Sequence, residues 1–118
     1  MKIGIVGRGF VGSAVEFGFS PQTGCDADVK VYDKDKSKSV HSLSETLASE
    51  FIFVSVPTPS NSDDSINLDI VYSVFDEMNR KNNRDDNVFL LRSTVTPGTT
   101  RKLQESYPNL NIVFNPEF

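Results

Sequence analysis

A glycine-rich turn between a strand and a helix is the feature that most constrains this chain. The apolar run Ile3-Gly4-Ile5-Val6 leads into Gly7-Arg8-Gly9-Phe10-Val11-Gly12, and residues 10–19 have the spacing of a helix. A second apolar run, residues 29–32, ends at Asp33. A dinucleotide-binding unit needs strand, glycine turn, helix, strand and acid in this order. Although the glycine motif alone is a weak signal, its context predicts a dinucleotide-binding domain.

Each glycine of the turn has its own expected role. Gly7 permits the tight turn, Gly9 lets a pyrophosphate approach the backbone, and Gly12 lets the helix lie close to the strands. The helix begins near Phe10 and Val11, where its N–H groups and its dipole favour a diphosphate. These five residues form the expected phosphate-binding part of the site.

Asp33 predicts which dinucleotide is bound. It lies about 20 residues beyond the glycines, where a carboxylate can accept hydrogen bonds from both ribose hydroxyls. The same carboxylate would repel a 2′-phosphate, so NAD is favoured over NADP. Lys34, Lys36 and Lys38 follow directly. They are either a solvated turn or a cluster for such a phosphate.

The rest of the chain alternates between strand and helix patterns. Strands are expected at residues 2–6, 29–32, 51–56, 88–91 and 112–114, and helices at 10–19, 42–49, 66–78 and 99–107. The helix at 42–49 begins with a capping box, Ser42 to Glu45. A small strand at 39–41, burial of strand 51–56 on both faces, and a solvated loop at 79–87 are further expectations. This order predicts a Rossmann-like doubly wound α/β fold, with a mainly parallel sheet and helices on both faces.

Composition excludes several classes of function. The chain has 118 residues, enough for one domain, and a formal net charge of −4, which argues against nucleic acid as the main partner. It has no apolar run near the roughly 18 residues of a membrane span. It starts directly with a strand pattern, so no signal peptide is expected. The single cysteine, Cys25, fits a reducing cytoplasm, and no residues have metal-ligand spacing.

Ligands of such a sheet bind where loops leave the carboxyl ends of the strands. Four loops are expected there: residues 7–12, the turn after Asp33, residues 57–60 and residues 93–97. The final residues, 115–118, follow a fifth strand. A cofactor laid across this edge would meet all five segments.

The loop sequences resemble a known family. In chain order they are Gly7 to Gly12, Val56-Pro57-Thr58-Pro59, Ser93-Thr94-Val95-Thr96-Pro97-Gly98-Thr99 and Asn115-Pro116-Glu117-Phe118. Together they resemble the amino-terminal domain of the UDP-glucose/GDP-mannose dehydrogenase family, over nearly the whole chain. Members of this family use NAD twice to oxidise the primary alcohol of a sugar nucleotide to a carboxylate. The resemblance therefore implies NAD as cofactor and a sugar nucleotide as the parent enzyme's substrate.

The resemblance also implies roles for individual residues. Asp33 and Lys38 match positions that hold the adenosine ribose. The implied cofactor pocket is lined by Val56, Pro57 and Thr58, with Ser93 and Thr94 beside the nicotinamide. Thr94 would help to hold the catalytic water, and Glu117 matches an active-site acid associated with that water and with proton transfer. The plainer alternatives are that Ser93, Thr94 and the prolines only end strands and that Glu117 is a surface acid.

Two departures from the family pattern limit what the chain can do. The segment from Lys34 to Phe51 is shorter than in family members. The family's catalytic cysteine, its lysine and its sugar-binding residues lie in later domains, and Cys25 is expected in a loop at the opposite end of the sheet. We therefore expect residues 1–118 to be one NAD-binding domain, the amino-terminal part of a longer enzyme. The alternatives are another sugar-nucleotide or hydroxyacid dehydrogenase on the same fold, and a stand-alone dinucleotide-binding module without catalysis.

Overall fold

The computed structural model describes residues 1–7, 9–19 and 27–115. In this part of the chain strands and helices alternate. The strands are β1 (Lys2–Val6), β2 (Asp28–Tyr32), β3 (Phe51–Val54), β4 (Val88–Leu91) and β5 (Asn111–Phe114). The helices are α1 (Phe10–Gly18), α2 (Leu43–Leu47), α3 (Asp69–Lys81) and α4 (Thr99–Ser106).

All five strands form one parallel sheet in the order β2-β1-β3-β4-β5. The chain moves from β1 to one neighbour, β2, and then returns to the other side of β1 as β3. The strand order therefore reverses between β1 and β3, which is where ligands bind in sheets of this kind. Val6 is in register with Tyr32 and with Val54, so the three strands end level at this position. The predicted fold class is confirmed.

Apolar side chains alternate between the two faces of the sheet and form two cores. On one face Ile3, Ile5 and Val31 are buried beneath α1, whose Val15 packs against them. On the other face the buried side chains of α2, α3 and α4 pack on the strands, and Phe75 of α3 lies 6.4 Å from Phe89 between ring centroids. Helices therefore cover both faces, as burial of a parallel sheet requires.

The short crossover from β2 to β3 contains the predicted capping box. The Ser42 hydroxyl accepts the Glu45 N–H, and the Glu45 carboxylate accepts the Ser42 N–H, both at 3.1 Å. The expected strand at residues 39–41 was wrong. His41 instead binds the edge of β2: its Nδ1 accepts the Val31 N–H at 2.9 Å and its N–H donates to the Val31 carbonyl at 2.7 Å. These bonds occupy the backbone groups that a further strand would have used.

The third helix is displaced from its predicted position. It begins at Asp69 because the Asn67 side chain accepts the Asp69 N–H at 2.9 Å, while the Asn67 N–H donates to the Pro59 carbonyl at 2.7 Å. It continues to Lys81, so the expected solvated loop at 79–87 begins later than predicted. That loop is also not fully solvated, because Asn87 is buried and donates to the Leu47 carbonyl at 3.1 Å.

Strand β3 is shorter than its apolar run. It ends at Val54, although the Ser55 N–H still donates to the Val6 carbonyl at 2.9 Å. Ile52 and Val54 are fully buried, whereas the Phe51 side chain is 37% exposed. Ile52 and Val54 lie on one face of the strand and Phe51 and Phe53 on the other, where Phe53 is only half-buried, so the expected burial on both faces was wrong for the second face.

Candidate dinucleotide site

A cleft of about 1050 Å³ crosses the carboxyl ends of the strands at the reversal between β1 and β3. Loops that follow β1, β2, β3 and β4 contribute to it, together with one side of α3. The lining includes nine of the residues singled out from the sequence: Gly7, Gly9, Asp33, Lys38, Val56, Pro57, Thr58, Ser93 and Thr94. The fold thus brings together segments that lie up to 87 positions apart in the sequence.

Gly7 and Gly12 are required by the backbone itself. Gly7 has a φ of +95°, and a Cβ there would lie 2.1 Å from the Ser55 carbonyl oxygen. A Cβ on Gly12 would lie 1.9 Å from the Gly7 carbonyl oxygen. Real side chains do not tolerate such distances, so Gly7 needs glycine for its close approach to the loop after β3, and Gly12 needs it for the close approach of α1 to the end of β1.

At position 9, by contrast, no atom of the described chain requires a glycine. A Cβ built there meets no atom of the described chain within 4 Å, and its φ of −83° is open to any residue. Gly9 is the N-cap of α1, where no side chain caps the helix in the described residues and the first turn, which Phe10 and Val11 open, contains no acid. Space and N–H groups at a helix amino end suit an anion, so these residues fit a pyrophosphate.

The carboxylate of Asp33 lies at the end of β2 in a hydrogen-bonded turn. Its Oδ1 accepts the Asp35 N–H at 2.8 Å, and the Asp33 N–H donates to the Ser39 hydroxyl at 3.1 Å. The Asp35 carboxylate accepts the Ser37 hydroxyl at 2.7 Å and the Ser37 N–H at 3.0 Å, and these bonds lower the pKa of Asp35. The turn thereby places Asp33 on the cleft, where it could accept hydrogen bonds from ribose hydroxyls.

Ser93 and Thr94 have different surroundings although they are adjacent. The Ser93 side chain is 7% exposed, and its hydroxyl both accepts the Val56 N–H and donates to the Val56 carbonyl, each at 2.9 Å. Thr94 is exposed on the cleft. Arg92, which precedes them, donates from Nη1 to the Asn115 side chain at 2.8 Å. Thr94 therefore has the side chain that a ligand can reach, whereas the Ser93 hydroxyl already holds the neighbouring loop.

Sequence reasoning missed the contribution of α3. Five of its residues line the cleft: Asp69, its first residue, and four residues at intervals of three and four, Ile70, Ser73, Val74 and Glu77. We call these last four residues the cleft stripe. Its spacing places it on one side of the helix, beside the buried stripe of Val71, Phe75 and Met78. The spacing is visible in the sequence, but a stripe with two polar members has the pattern of a solvent-exposed helix face. Only the positions of the neighbouring loops in the structure show that it lines a cleft.

Tyr32 connects the cleft stripe to the end of β2. Its ring lines the cleft and packs on the core beneath α2 and α3. Burial raises the pKa of Tyr32, and the negative charges of Glu77 and Asp33 raise that pKa further.

Two residues discussed from the sequence, Glu117 and Cys25, lie outside the described ranges. Within those ranges, no group of three or more His, Cys, Asp or Glu residues could hold a metal ion. The helices described are all too short or too polar to cross a membrane.

The sequence of this chain matches a known family and a curated protein. Residues 40–118, more than half of the chain, match the UDP-glucose/GDP-mannose dehydrogenase family, NAD binding domain. An uncharacterized protein of Methanocaldococcus jannaschii is 29% identical over 148 positions, which cover all of this chain and 16% of that protein. That alignment has more positions than this chain has residues, so the archaeal protein carries extra residues within the matched region.

Solved structures show the same fold. A UDP-glucose dehydrogenase from the hyperthermophilic archaeon Pyrobaculum islandicum is 23% identical with a TM-score of 0.76, over 99% of this chain and 36% of that one. A GDP-mannose dehydrogenase from Pseudomonas aeruginosa is 20% identical with a TM-score of 0.80, over 100% of this chain and 36% of that one. The chain thus spans about a third of the length of these two enzymes.

Proposed function

This chain belongs to the UDP-glucose/GDP-mannose dehydrogenase family as an NAD-binding domain, and we propose that it serves a UDP-glucose 6-dehydrogenase-like enzyme. Such an enzyme oxidises the C6 alcohol of a sugar nucleotide to a carboxylate, with two NAD consumed. One observation carries the proposal: the open backbone at Gly9 and the carboxylate of Asp33 face one cleft. A phosphate site and a ribose site at this separation along a βαβ unit are what a dinucleotide needs.

Different residues of the cleft would bind different parts of the cofactor. Gly7, Gly9 and the first turn of α1 would hold the pyrophosphate, with Gly12 supporting the turn from below. Asp33 and Lys38 would hold the adenosine ribose. When bound, NAD supplies a hydride acceptor, and the chain's own task is to hold it in place.

The loops after β3 and β4 would surround the nicotinamide. Val56, Pro57 and Thr58 would line one side of its pocket, and Ser93 holds this loop through its two bonds to Val56. The exposed hydroxyl of Thr94 would hold the water that attacks the oxidised carbon. Glu117 would accept and return protons at that water. These two roles are proposed from the family motif alone.

The groups that bind the sugar and trap the aldehyde are expected beyond residue 118. Oxidation to an acid needs a nucleophile and a positioned C6 alcohol, and positioning alone can supply roughly 7–11 kcal/mol of barrier reduction. We therefore propose that residues 1–118 bind NAD but do not turn over a sugar nucleotide alone. Joined to the remaining domains of a family enzyme, the chain should do so.

NADH absorbance tests this proposal. The 118-residue chain with NAD and UDP-glucose should give no NADH, and a fusion to the catalytic domains of a family member should give steady turnover. GDP-mannose in place of UDP-glucose tests the choice of sugar nucleotide. In the fusion, Thr94→Ala and Glu117→Gln should slow turnover with little effect on NAD affinity, whereas Glu105→Gln, on the exposed side of α4, should change neither.

Two outcomes would overturn the proposal. Steady turnover by the isolated chain would mean that the catalytic groups are within residues 1–118. An intact fusion that binds NAD but oxidises neither sugar nucleotide would favour the alternative of a binding module without catalysis.

A further inference from the structure

The side chain of His41 has no role in the scheme above, and it does not line the cleft. We propose that His41 is a positioning residue for NAD: its neutral imidazole holds the turn of residues 33–41 against β2, and protonation of the imidazole releases this turn and weakens NAD binding. This inference rests on the proposed role of Asp33, which the turn presents to the ribose. It makes NAD binding depend on one proton outside the cleft.

The imidazole is bound to the outer edge of β2 through Nδ1. This nitrogen accepts the Val31 N–H at 2.9 Å, while the His41 N–H donates to the Val31 carbonyl at 2.7 Å. Tyr32, the next residue of the strand, directs its carbonyl to the other side, where it accepts the Gly7 N–H at 2.9 Å. The backbone groups of Val31 and of Asp33, two positions later, therefore point to the same edge, away from β1.

A second attachment of the turn lies at the same edge. The Asp33 N–H donates to the Ser39 hydroxyl at 3.1 Å, and that hydroxyl donates to the His41 carbonyl at 2.8 Å. Ser39 thus connects the residue whose carboxylate lies on the cleft to the residue whose imidazole is bound to Val31. A change at the imidazole can reach Asp33 through this one side chain.

The turn between these attachments belongs to the cleft. The Asp33 carboxylate accepts the Asp35 N–H at 2.8 Å, and the Lys38 N–H donates to the Asp35 carbonyl at 3.0 Å. All three residues line the cleft. The turn is therefore one hydrogen-bonded unit, and its position relative to β2 depends on the bonds of residues 39–41.

Only a neutral imidazole can accept the Val31 N–H. A neutral ring has one nitrogen that donates and one that accepts, whereas both nitrogens of a protonated ring donate. A proton added to Nδ1 of His41 would face the Val31 N–H, so two donors would meet and the N–H would lose its partner. Histidine is the side chain whose charge ordinarily changes between pH 5 and 8. NAD affinity should therefore be high while the ring is neutral and fall as the pH falls.

Three elements adjoin the imidazole, and each carries charges. Helix α2 contributes Glu45, whose charge interacts with that of His41, and β2 contributes Lys30, whose charge acts on the same carboxylate. Glu45 is already bound to the Ser42 N–H at 3.1 Å, and within residues 1–7, 9–19 and 27–115 no carboxylate forms an ion pair with the ring. No ion pair is thus in place to hold a protonated ring where it lies. The charged residues of the turn itself are Asp33, Lys34, Asp35, Lys36 and Lys38.

The plainer role of His41 is to cover the edge of β2 without any effect on the ligand. In that case two backbone bonds to the Val31 carbonyl, from the Val40 N–H at 3.2 Å and the His41 N–H at 2.7 Å, would hold the segment whatever the charge of the ring. The two roles differ in one measurable property, which is the dependence of NAD affinity on pH. The chain suits this comparison because His41 is its only histidine.

Two substitutions separate the acceptor atom from the proton. His41→Asn places an amide oxygen as many bonds from the backbone as Nδ1, and this oxygen accepts hydrogen bonds but does not titrate. His41→Leu introduces a side chain of nearly the same shape without an acceptor. Calorimetric titration of the 118-residue wild type and both variants with NAD, at about pH 7.5 and about pH 5.5, would measure the affinities. Circular dichroism at both pH values would check the fold of each protein.

We expect the wild-type chain to bind NAD roughly fivefold or more weakly at the lower pH, because a hydrogen bond that supports the Asp33 turn is lost. The affinity of His41→Asn should stay within about twofold of the wild-type value at the higher pH under both conditions, because its acceptor is always present. His41→Leu should bind NAD at both pH values about as weakly as the protonated wild type.

Equal wild-type affinities at the two pH values would overturn the inference, and so would an equal fall in His41→Asn or a wild-type affinity in His41→Leu. Unfolding of the wild type at the lower pH would also overturn it, since the proposed change is confined to the turn. If His41→Leu does not fold, the other two proteins decide. If the wild type binds NAD without dependence on pH, only this inference fails. If it binds no NAD at either pH, the inference fails together with the proposed function.

Discussion

The Ser93 hydroxyl closes a two-way bridge to the backbone of Val56, accepting its N–H and donating to its carbonyl at 2.9 Å each. The two residues are 37 positions apart, at the ends of the neighbouring strands β4 and β3. The bridge fixes the loop that begins at Val56 just where it enters the cleft. Ser93 is therefore better described as a support of the site than as a contact of its ligand.

We predict that Ser93→Ala lowers the free energy of unfolding by about 1–3 kcal/mol, since both polar groups of Val56 lose their partner in a partly buried position. NAD affinity should also fall, because the loop after β3 is no longer held. Urea denaturation and calorimetry would measure the two effects. Thr94→Ala is the control: its side chain is exposed, so its stability should stay within about 0.5 kcal/mol of wild type. Equal stabilities of the two variants would contradict this role of Ser93.

The glycines of the turn should separate into two classes. Gly9→Ala should leave the melting temperature nearly unchanged, because a Cβ there meets nothing within 4 Å, yet weaken NAD binding at least about tenfold by occupying the pyrophosphate space. Gly12→Ala should unfold or strongly destabilise the domain, because its Cβ would lie 1.9 Å from the Gly7 carbonyl oxygen. Thermal melts and calorimetry would test both. A Gly9→Ala variant that binds NAD normally would show that the space at Gly9 is not needed for the pyrophosphate.

Asp33 should decide between NAD and NADP. We expect the wild-type chain to prefer NAD, and Asp33→Asn to weaken NAD binding by up to about 1.5–3 kcal/mol, the value of hydrogen bonds to a charged group, because a neutral acceptor replaces the carboxylate. Asparagine keeps an oxygen that can accept the Asp35 N–H, so the turn should persist. Calorimetric titration with both cofactors is the measurement, with Asp28→Asn, at the opposite end of β2 and away from the cleft, as a control for the loss of one charge. Equal wild-type affinities for NAD and NADP would show that Asp33 does not select the cofactor.

The capping box of α2 should make stability depend on pH through Glu45. The Ser42 N–H bond, with a further contribution from the Ser42 side chain, lowers the pKa of Glu45 below its ordinary value of 4.5. Because the pKa is lower in the folded chain, this stabilisation is present above pH 4.5 and is lost as the pH falls through the folded-state pKa. Glu45→Gln should thus be less stable than wild type at pH 7, and the difference should shrink below pH 4.5. Urea denaturation of wild type and Glu45→Gln at pH 7 and below pH 4.5 would measure this difference in stability. A difference that is the same at both pH values would exclude the Glu45 charge as its cause.

Several elements were predictable because their causes are local. The glycine turn, the capping box from Ser42 to Glu45 and strand β4 all lie where the sequence placed them. Their signals are backbone geometry, side-chain capping and a continuous apolar run, each complete within a few residues. The parallel direction of the strands followed from the same patterns, because connections that contain helices leave few alternatives.

Expectations failed where a distant partner decides the structure. The edge of β2 is occupied by the side chain of His41, so no strand forms at 39–41. The start of α3 is set by Asn67, whose N–H is bound to Pro59 in the loop before it. Neither partner can be identified from the periodicity of apolar residues.

The sequence by itself predicted the glycine turn after β1 and the acid that follows β2, since glycines and a carboxylate at that spacing are typical of a dinucleotide-binding βαβ unit. The tertiary structure alone decided what surrounds them. A Cβ on Gly9 proved to have open space and one on Gly12 to have none, Ser93 proved to bond to Val56, and the cleft stripe came to line the same cleft as the residues that follow β2. The physical reason is that space, burial and long-range hydrogen bonds depend on which segments the sheet brings together, and a sequence pattern records only what lies on one element.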